Sequence, residues 1–226
     1  MDKDIYIKGF RLTFENAQRL FNAAETLEEK KELAISNSLL ILSAEEGMKA
    51  YTILTQHFYP ERILEDFDKH FEHHKTKLES IRSLTCISQL VNKFRELHFN
   101  PIFENVINPK EDHQTVKNRN EQNLLGWLKK EAESNDTDLA KENDWWRQAN
   151  TMKQNGFYVG FNNGNKQWTN PSSINKVKYF KTKKYVDNFL KQIKVLYNLD
   201  FNNGSVNEMI GELKRKITEI KNKKPK

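Results

Sequence analysis

The sequence predicts an all-α fold, a helical bundle interrupted by one small β-hairpin. Apolar residues recur at three- and four-residue spacing over long stretches, the signature of amphipathic helices. Hydrophobic residues make up 37% of the 226-residue chain and charged residues 30%, a composition that suits helices with one buried and one solvated face. A single place, near residues 157–169, combines a short aromatic segment with a strong turn signal.

From Thr13 to Leu27 the residues Phe14, Ala17, Leu20, Phe21, Ala24 and Leu27 keep helical spacing, with Thr13 as the expected N-cap. The next helix, about residues 33–57, is apolar almost all round through Leu39, Leu40, Ile41, Leu42, Met48, Tyr51, Ile53 and Leu54, and therefore belongs at the centre of the bundle. After Pro60 a long third helix is expected over about residues 62–97, with a stripe at Phe67, Phe71, Leu78, Ile81, Leu90 and Phe94. Asn100 and Pro101 should stop it.

Residues 108–144 are rich in Asn, Asp, Glu and Lys around an apolar island at Leu124, Leu125, Trp127 and Leu128, which reads as an exposed helix flanked by mobile loops. Asp138 should cap a further helix through Trp145, Trp146, Ala149 and Met152, with Gly156 as its C′ residue. Phe157-Tyr158-Val159 then reads as a short strand, and Asn162-Asn163-Gly164-Asn165 as the turn leading to Gln167-Trp168. Asn170 and Pro171 have the order of an N-cap and first helical residue, opening a helix through Phe180, Val186, Phe189, Ile193 and Leu196. Ser205 and Glu208 form a capping box for a last helix through Met209, Ile210, Leu213, Ile217 and Ile220, followed by a basic tail. The domain organisation expected is a helical domain over 1–200, with the loop-rich insertion and hairpin inside it, and a C-terminal helix and tail over 205–226.

The formal charge of +6 favours an anionic partner such as RNA, although a modest basic excess also occurs in proteins that touch no nucleic acid. Cys86 is the one cysteine, so an intrachain disulfide is excluded, and its neighbours Leu84, Ile87 and Leu90 suit a small core hydrophobe. No apolar run approaches the ~20 residues of a membrane span, and the start MDKDIYIKGF has no signal-peptide pattern; the expected location is the cytoplasm. There is no phosphate-cradling glycine loop and no GxSxG. Asp66 is the only carboxylate at helical spacing from His70, so His70, His73 and His74 read better as a chance cluster than as a metal site, and no metal and no cofactor are expected. Trp145, Trp146 and Trp168 suit core or dimer packing better than base stacking.

The candidate site comes from charged residues on faces expected to be buried. Ile35, Leu39, Leu42, Glu46, Lys49 and Ile53 follow one stripe of the second helix, and Phe67, Phe71, His74, Leu78 and Ile81 one stripe of the third. His70 and Lys77 flank His74 on the same side. Burying an isolated charge costs several kcal/mol, and a pair recovers this only with good geometry and further hydrogen bonds. Two readings stay open: a structural Glu46–Lys49 pair, with Lys49 reaching solvent and His74 a hydrogen-bonded core histidine, or a functional cleft.

These stretches resemble the AbiV group of bacterial abortive infection proteins, members of the HEPN superfamily of helical bundles. The matching pieces are SAEEGMKA (Ser43 to Ala50), FEHHKTK (Phe71 to Lys77) and GFYVGFNNGNKQWTNP (Gly156 to Pro171), and the resemblance covers about residues 13–175. It implies an HEPN-like bundle, a homodimer, and antiphage defence that shuts down translation with RNA, ribosomal or transfer, or the ribosome as target and a phage-encoded protein as possible activator. By position it carries Glu46 and Lys49 onto a Glu-Glu-x-x-Lys segment, His74, Lys75 and Lys77 onto a His-Lys-x-Lys segment, and Tyr158 onto the strand tyrosine. The sequence departs from the pattern in two ways. No Arg precedes a His at the four-to-six-residue spacing carried by many HEPN ribonucleases, and Lys153 stands where an Arg is expected. The expected activity is metal-independent RNA cleavage by His74, Lys77, Glu46, Lys49 and Tyr158, with Lys75, His70, Lys117 and Arg119 holding the RNA. A non-catalytic module that binds ribosomes, RNA or a phage protein is the alternative.

Overall fold

The computed structural model describes residues 3–58, 69–101, 105, 110–134, 136–171, 174–198 and 215. The chain forms two compact units, one of residues 1–84 with 142–199 and one of residues 85–141 with 200–226. Among the described residues no helix is long and apolar enough to cross a membrane. Apart from Arg215, the last helix expected from Ser205 onward lies outside the described residues, as does Phe67.

The first unit is built on a helical hairpin, α1 (Lys3–Glu29) and α2 (Leu33–Phe58). Lys31 takes a left-handed φ of 65°, while the Lys31 amide donates to the Glu28 carbonyl and the Glu32 amide to the Leu27 carbonyl. This Schellman pattern closes α1 and turns the chain back. Small residues then let the two backbones approach. Ser36 Oγ donates to the Ala24 carbonyl at 2.5 Å and Ser43 Oγ to the Ala17 carbonyl at 2.7 Å, so the helices run antiparallel. Thr13 does not cap α1 but lies inside it, its Oγ1 bonded to the Gly9 carbonyl one turn back.

As expected, α2 is the central helix. Leu40, Ile41, Ala44, Met48, Ile53 and Leu54 join a core shared with Phe10, Ala17, Leu78, Ile81, Trp145, Trp146 and Ala149. Two further helices of this unit are α6 (Asp138–Phe157), of which residues from Glu142 onward belong here, and α7 (Lys176–Asn198). The Thr137 hydroxyl accepts from the Ala140 amide, so Asp138 is the first residue of α6 rather than its cap. Gly156 is not a left-handed C′ residue either. It remains helical, and a Cβ there would sit 2.0 Å from Ser38 Oγ and 2.4 Å from the Ala34 carbonyl oxygen, so glycine is present to let α6 meet α2. Asn175, not Asn170, caps α7 through the Lys178 amide. The core face of α7 runs through Tyr179, Val186, Phe189 and Ile193, which leaves the neighbouring Phe180 exposed.

The hairpin exists but starts later than the aromatic segment suggests: β1 (Gly160–Asn162) pairs antiparallel with β2 (Gln167–Thr169), and Phe161 faces Trp168. Phe157 ends α6, and Tyr158 and Val159 are exposed linkers. The third helix is not continuous. Its described part consists of α3 (Lys69–Glu72), a break at His73, and α4 (His74–Phe94), after which a π-helical turn spans Arg95–Phe99. Asn100 does not stop the helix, since it keeps helical angles. The break destroys the phase on which a single stripe depends, so Leu78 and Ile81 are buried while Phe71 is exposed.

In the second unit α5 (His113–Glu133) is capped by the Asp112 carboxylate on the Thr115 amide. Phe94 and Leu124 form its small core with Val91, Leu97, Trp127 and Leu128 around them. Three residues of the apolar island, Leu124, Trp127 and Leu128, thus form the inner face of α5, while Leu125 is exposed.

The approach at Gly156 sets a stability test. Gly156→Ala should cost about 3 kcal/mol or more, because the new methyl meets backbone as well as a hydroxyl. Gly126→Ala, where a Cβ meets nothing within 4 Å, should gain about 0.5–1 kcal/mol from helix propensity. Urea unfolding followed by tryptophan fluorescence reads both; equal midpoints for the two variants would refute the packing account.

Candidate functional site

One residue separates the expected site from the observed one. Along α2 the least buried stripe is Ile35, Leu39, Leu42, Glu46 and Lys49, five of the six residues that sequence spacing assigns to the core; the sixth, Ile53, is buried. A step of one residue rotates a side chain by about 100°, so Glu45 points instead into the interior, 1% exposed. Its stripe is Ile41, Glu45, Met48 and Thr52, all buried.

The Glu45 carboxylate has a partner at each oxygen. Lys153 Nζ donates to Oε1 at 2.5 Å, and Lys153 is itself 3% exposed. His74 Nδ1 meets Oε2, with the His74 side chain 51% exposed. Lys153 gets there because α6 crosses α2 closely: the Ser38 hydroxyl donates to the Lys153 carbonyl at 2.8 Å, one turn before Gly156. His74 gets there because α4 restarts after the break at His73, which makes it the first residue of the helix. A buried carboxylate accepting from Nδ1–H fixes the tautomer of a neutral imidazole and leaves Nε2 as the nitrogen that exchanges protons.

Lys77 lies one turn after His74 and is 2% exposed. Its Nζ has a long contact, 3.4 Å, to the Phe71 carbonyl. Burial pushes its ammonium group below the ordinary lysine range and Lys49 and Lys153 push the same way, while Glu45 and Glu46 oppose them. Beside it, Lys49 Nζ donates to Glu46 Oε1 at 2.5 Å, and Asn16 Nδ2 donates to Glu46 Oε2 at 3.2 Å. The Glu46–Lys49 side chains are about one-fifth exposed, so this pair sits at the rim of the cluster rather than in the core. Three ammonium groups and two carboxylates leave an excess positive charge that suits a phosphate. Their chemistry suits proton transfer by His74 and charge stabilisation by the lysines.

The structure therefore joins His74, Lys77, Glu46 and Lys49 in one cluster. Tyr158 does not take part in its hydrogen bonds; it is 63% exposed after the end of α6, its amide bonded to the Gln154 carbonyl. Lys75 is exposed, 3.9 Å from Glu79. The His70 side chain lies outside the described residues. Lys117 and Arg119 are on α5 in the second unit, where Arg119 binds both oxygens of Glu111 at 2.7 and 2.8 Å. Sequence spacing does not single out Glu45, and Lys153 stands out only as a lysine in the place of an expected arginine. The signal for it was present: Trp146, Ala149, Lys153 and Gly156 make a three-four-three stripe. Among the described residues no three His, Cys, Asp or Glu side chains converge as a metal site would require.

The Lys77 shift has a definite sign. The unfolded chain keeps the proton up to pH near 10.5, whereas the folded protein releases it earlier. The desolvation cost is thus present in full below the folded pKa and fades as pH rises toward the unfolded value. Lys77→Met should be most favourable relative to the native protein near neutral pH, and the difference should move toward the native protein as pH rises from about 7 to about 10. Urea midpoints across that range check it; a difference independent of pH would show that Lys77 carries no such cost.

Neither the curated proteins nor the solved structures compared with the chain contain a match. Residues 5–191, most of the chain, match the family model HEPN_AbiV, described as AbiV. The chain belongs to the AbiV family of HEPN-type abortive infection proteins.

Proposed function

We propose that the protein is an antiphage abortive infection factor that stops translation by cutting RNA, as a metal-independent endoribonuclease. The observation that carries this reading is the half-exposed imidazole of His74 held by the buried Glu45 beside Lys77. His74 Nε2 takes the proton of a 2′-hydroxyl, whose oxygen attacks the adjacent phosphorus. The P–O5′ bond breaks, leaving a 2′,3′-cyclic phosphate and a 5′-hydroxyl that receives a proton. Lys77, whose lowered pKa suits proton donation, gives that proton, and Lys49 offsets the charge on the phosphoryl oxygens. Glu45 orients His74, while Glu46 holds Lys49. The protein acts as a homodimer, on ribosomal or transfer RNA, and a phage-encoded protein is its trigger.

A second reading, a non-catalytic module that binds ribosomes, RNA or a phage protein, is favoured by the missing Arg-to-His spacing. Incubation of the purified protein with ribosomal and transfer RNA, with and without infected-cell extract, separates the two. Cleavage should persist in a chelator and fall by ~10²–10⁴ in His74→Ala and in Lys77→Ala. Native rates of cleavage in both variants would end the catalytic reading.

A further inference from the structure

A different part of the first unit carries a surface that the Glu45 cluster does not use. Between Asp144 and Asp187 the chain runs 42 residues without an aspartate or glutamate and places eight lysines and arginines there. Two of these are committed inside the unit, Lys153 to Glu45 and Lys183 to Glu25 at 2.7 Å, and Arg147 lies 3.8 Å from Asp144. The other five, Lys166, Lys176, Lys178, Lys181 and Lys184, are exposed and make no ion pair among the described residues. They lie on the hairpin and on the first half of α7.

The same segment exposes aromatic rings. Phe161 and Trp168 face each other across the two strands, with ring centroids 4.9 Å apart and planes at 54°, and they remain 43% and 73% exposed. A ring pair that served only to clasp the hairpin would not need to leave so much indole in water. Phe180 on α7, among these lysines, is also half exposed.

We infer that the hairpin and the first half of α7 form a second RNA surface, which binds single-stranded RNA by stacking unpaired bases on Phe161 and Trp168 while these lysines meet the phosphates. This rests on the reading of RNA as the target. Stacking on aromatic side chains requires bases free of a duplex, and a basic track beside the rings holds the backbone. A second copy of the same face is a poor occupant, because it would bring like charges together.

The test uses the full-length protein and a fluorescein-labelled 2′-O-methyl oligouridylate of about 20 nucleotides, which lacks the attacking hydroxyl and stays intact. Anisotropy titrations should show Trp168→Ala binding about tenfold or more weakly, with Trp168→Phe recovering most of the loss. Lys181→Ala with Lys184→Ala should weaken binding and flatten its salt dependence. Trp168→Ala should leave binding of the same strand paired with oligoadenylate unchanged. Circular dichroism confirms that each variant is folded. A folded Trp168→Ala protein that binds the single strand as tightly as the native one overturns the inference. So does one whose only change is a smaller mass in light scattering, which would make this a contact between copies. If the native protein cuts RNA and Trp168→Ala has no effect on strand binding, this surface alone fails; if the native protein neither binds nor cuts RNA, the proposed function fails and the inference with it.

Discussion

The structure of the first unit turns on one buried carboxylate. Glu45 is 1% exposed in the middle of the central helix, where an unpaired charge would be prohibitive. Its two oxygens tie α2 to Lys153 of α6 and to His74 at the start of α4. Three segments far apart in sequence must be in register for this, and the small residues of α2 and α6 make that possible. Ser38 and Gly156 permit the close crossing that brings Lys153 within reach. Because removing one partner of such an arrangement strands a buried charge, the carboxylate constrains the fold as much as the chemistry.

The same constraint produces a graded site. Lys153 is sealed, Lys77 is buried with a long contact to a carbonyl, and His74 is half open. The charge is thus neutralised at the inner end and left available at the outer end. Glu46 and Lys49 form a partly exposed rim, steadied by Asn16 from α1. A dry inner pair that fixes an exposed imidazole is the arrangement by which a general base keeps its tautomer and direction.

Much of the architecture was legible in the sequence because helical spacing reports burial directly. The inward Leu78 and Ile81 follow from that spacing, the central position of α2 from its almost wholly apolar surface, and the hairpin from its turn signal. The failures have physical causes. A helix apolar on nearly every side has no unique inward stripe, so Glu46 and Lys49 were assigned the interior that belongs to Glu45. The break at His73 cancels the phase between Phe71 and Leu78, which spacing alone does not reveal. Gly156 reads as a terminator from its position, yet its reason is a contact with Ala34 and Ser38, 122 and 118 residues earlier. Lys153 was recoverable from its own stripe, but its partner was not, because only the helix crossing sets the pair.

If Glu45 works by holding His74, the two act as one unit, and their effects on RNA cleavage cannot be independent. The measurement that asks this most directly is a double-mutant cycle on single-turnover cleavage with Glu45→Gln, His74→Ala and the combination, each checked for native circular dichroism. The expected result is that Glu45→Gln strongly slows any cleavage by the native protein but leaves the His74→Ala variant no slower than it already is. Losses that multiply in the double variant would contradict it, placing Glu45 in the fold alone.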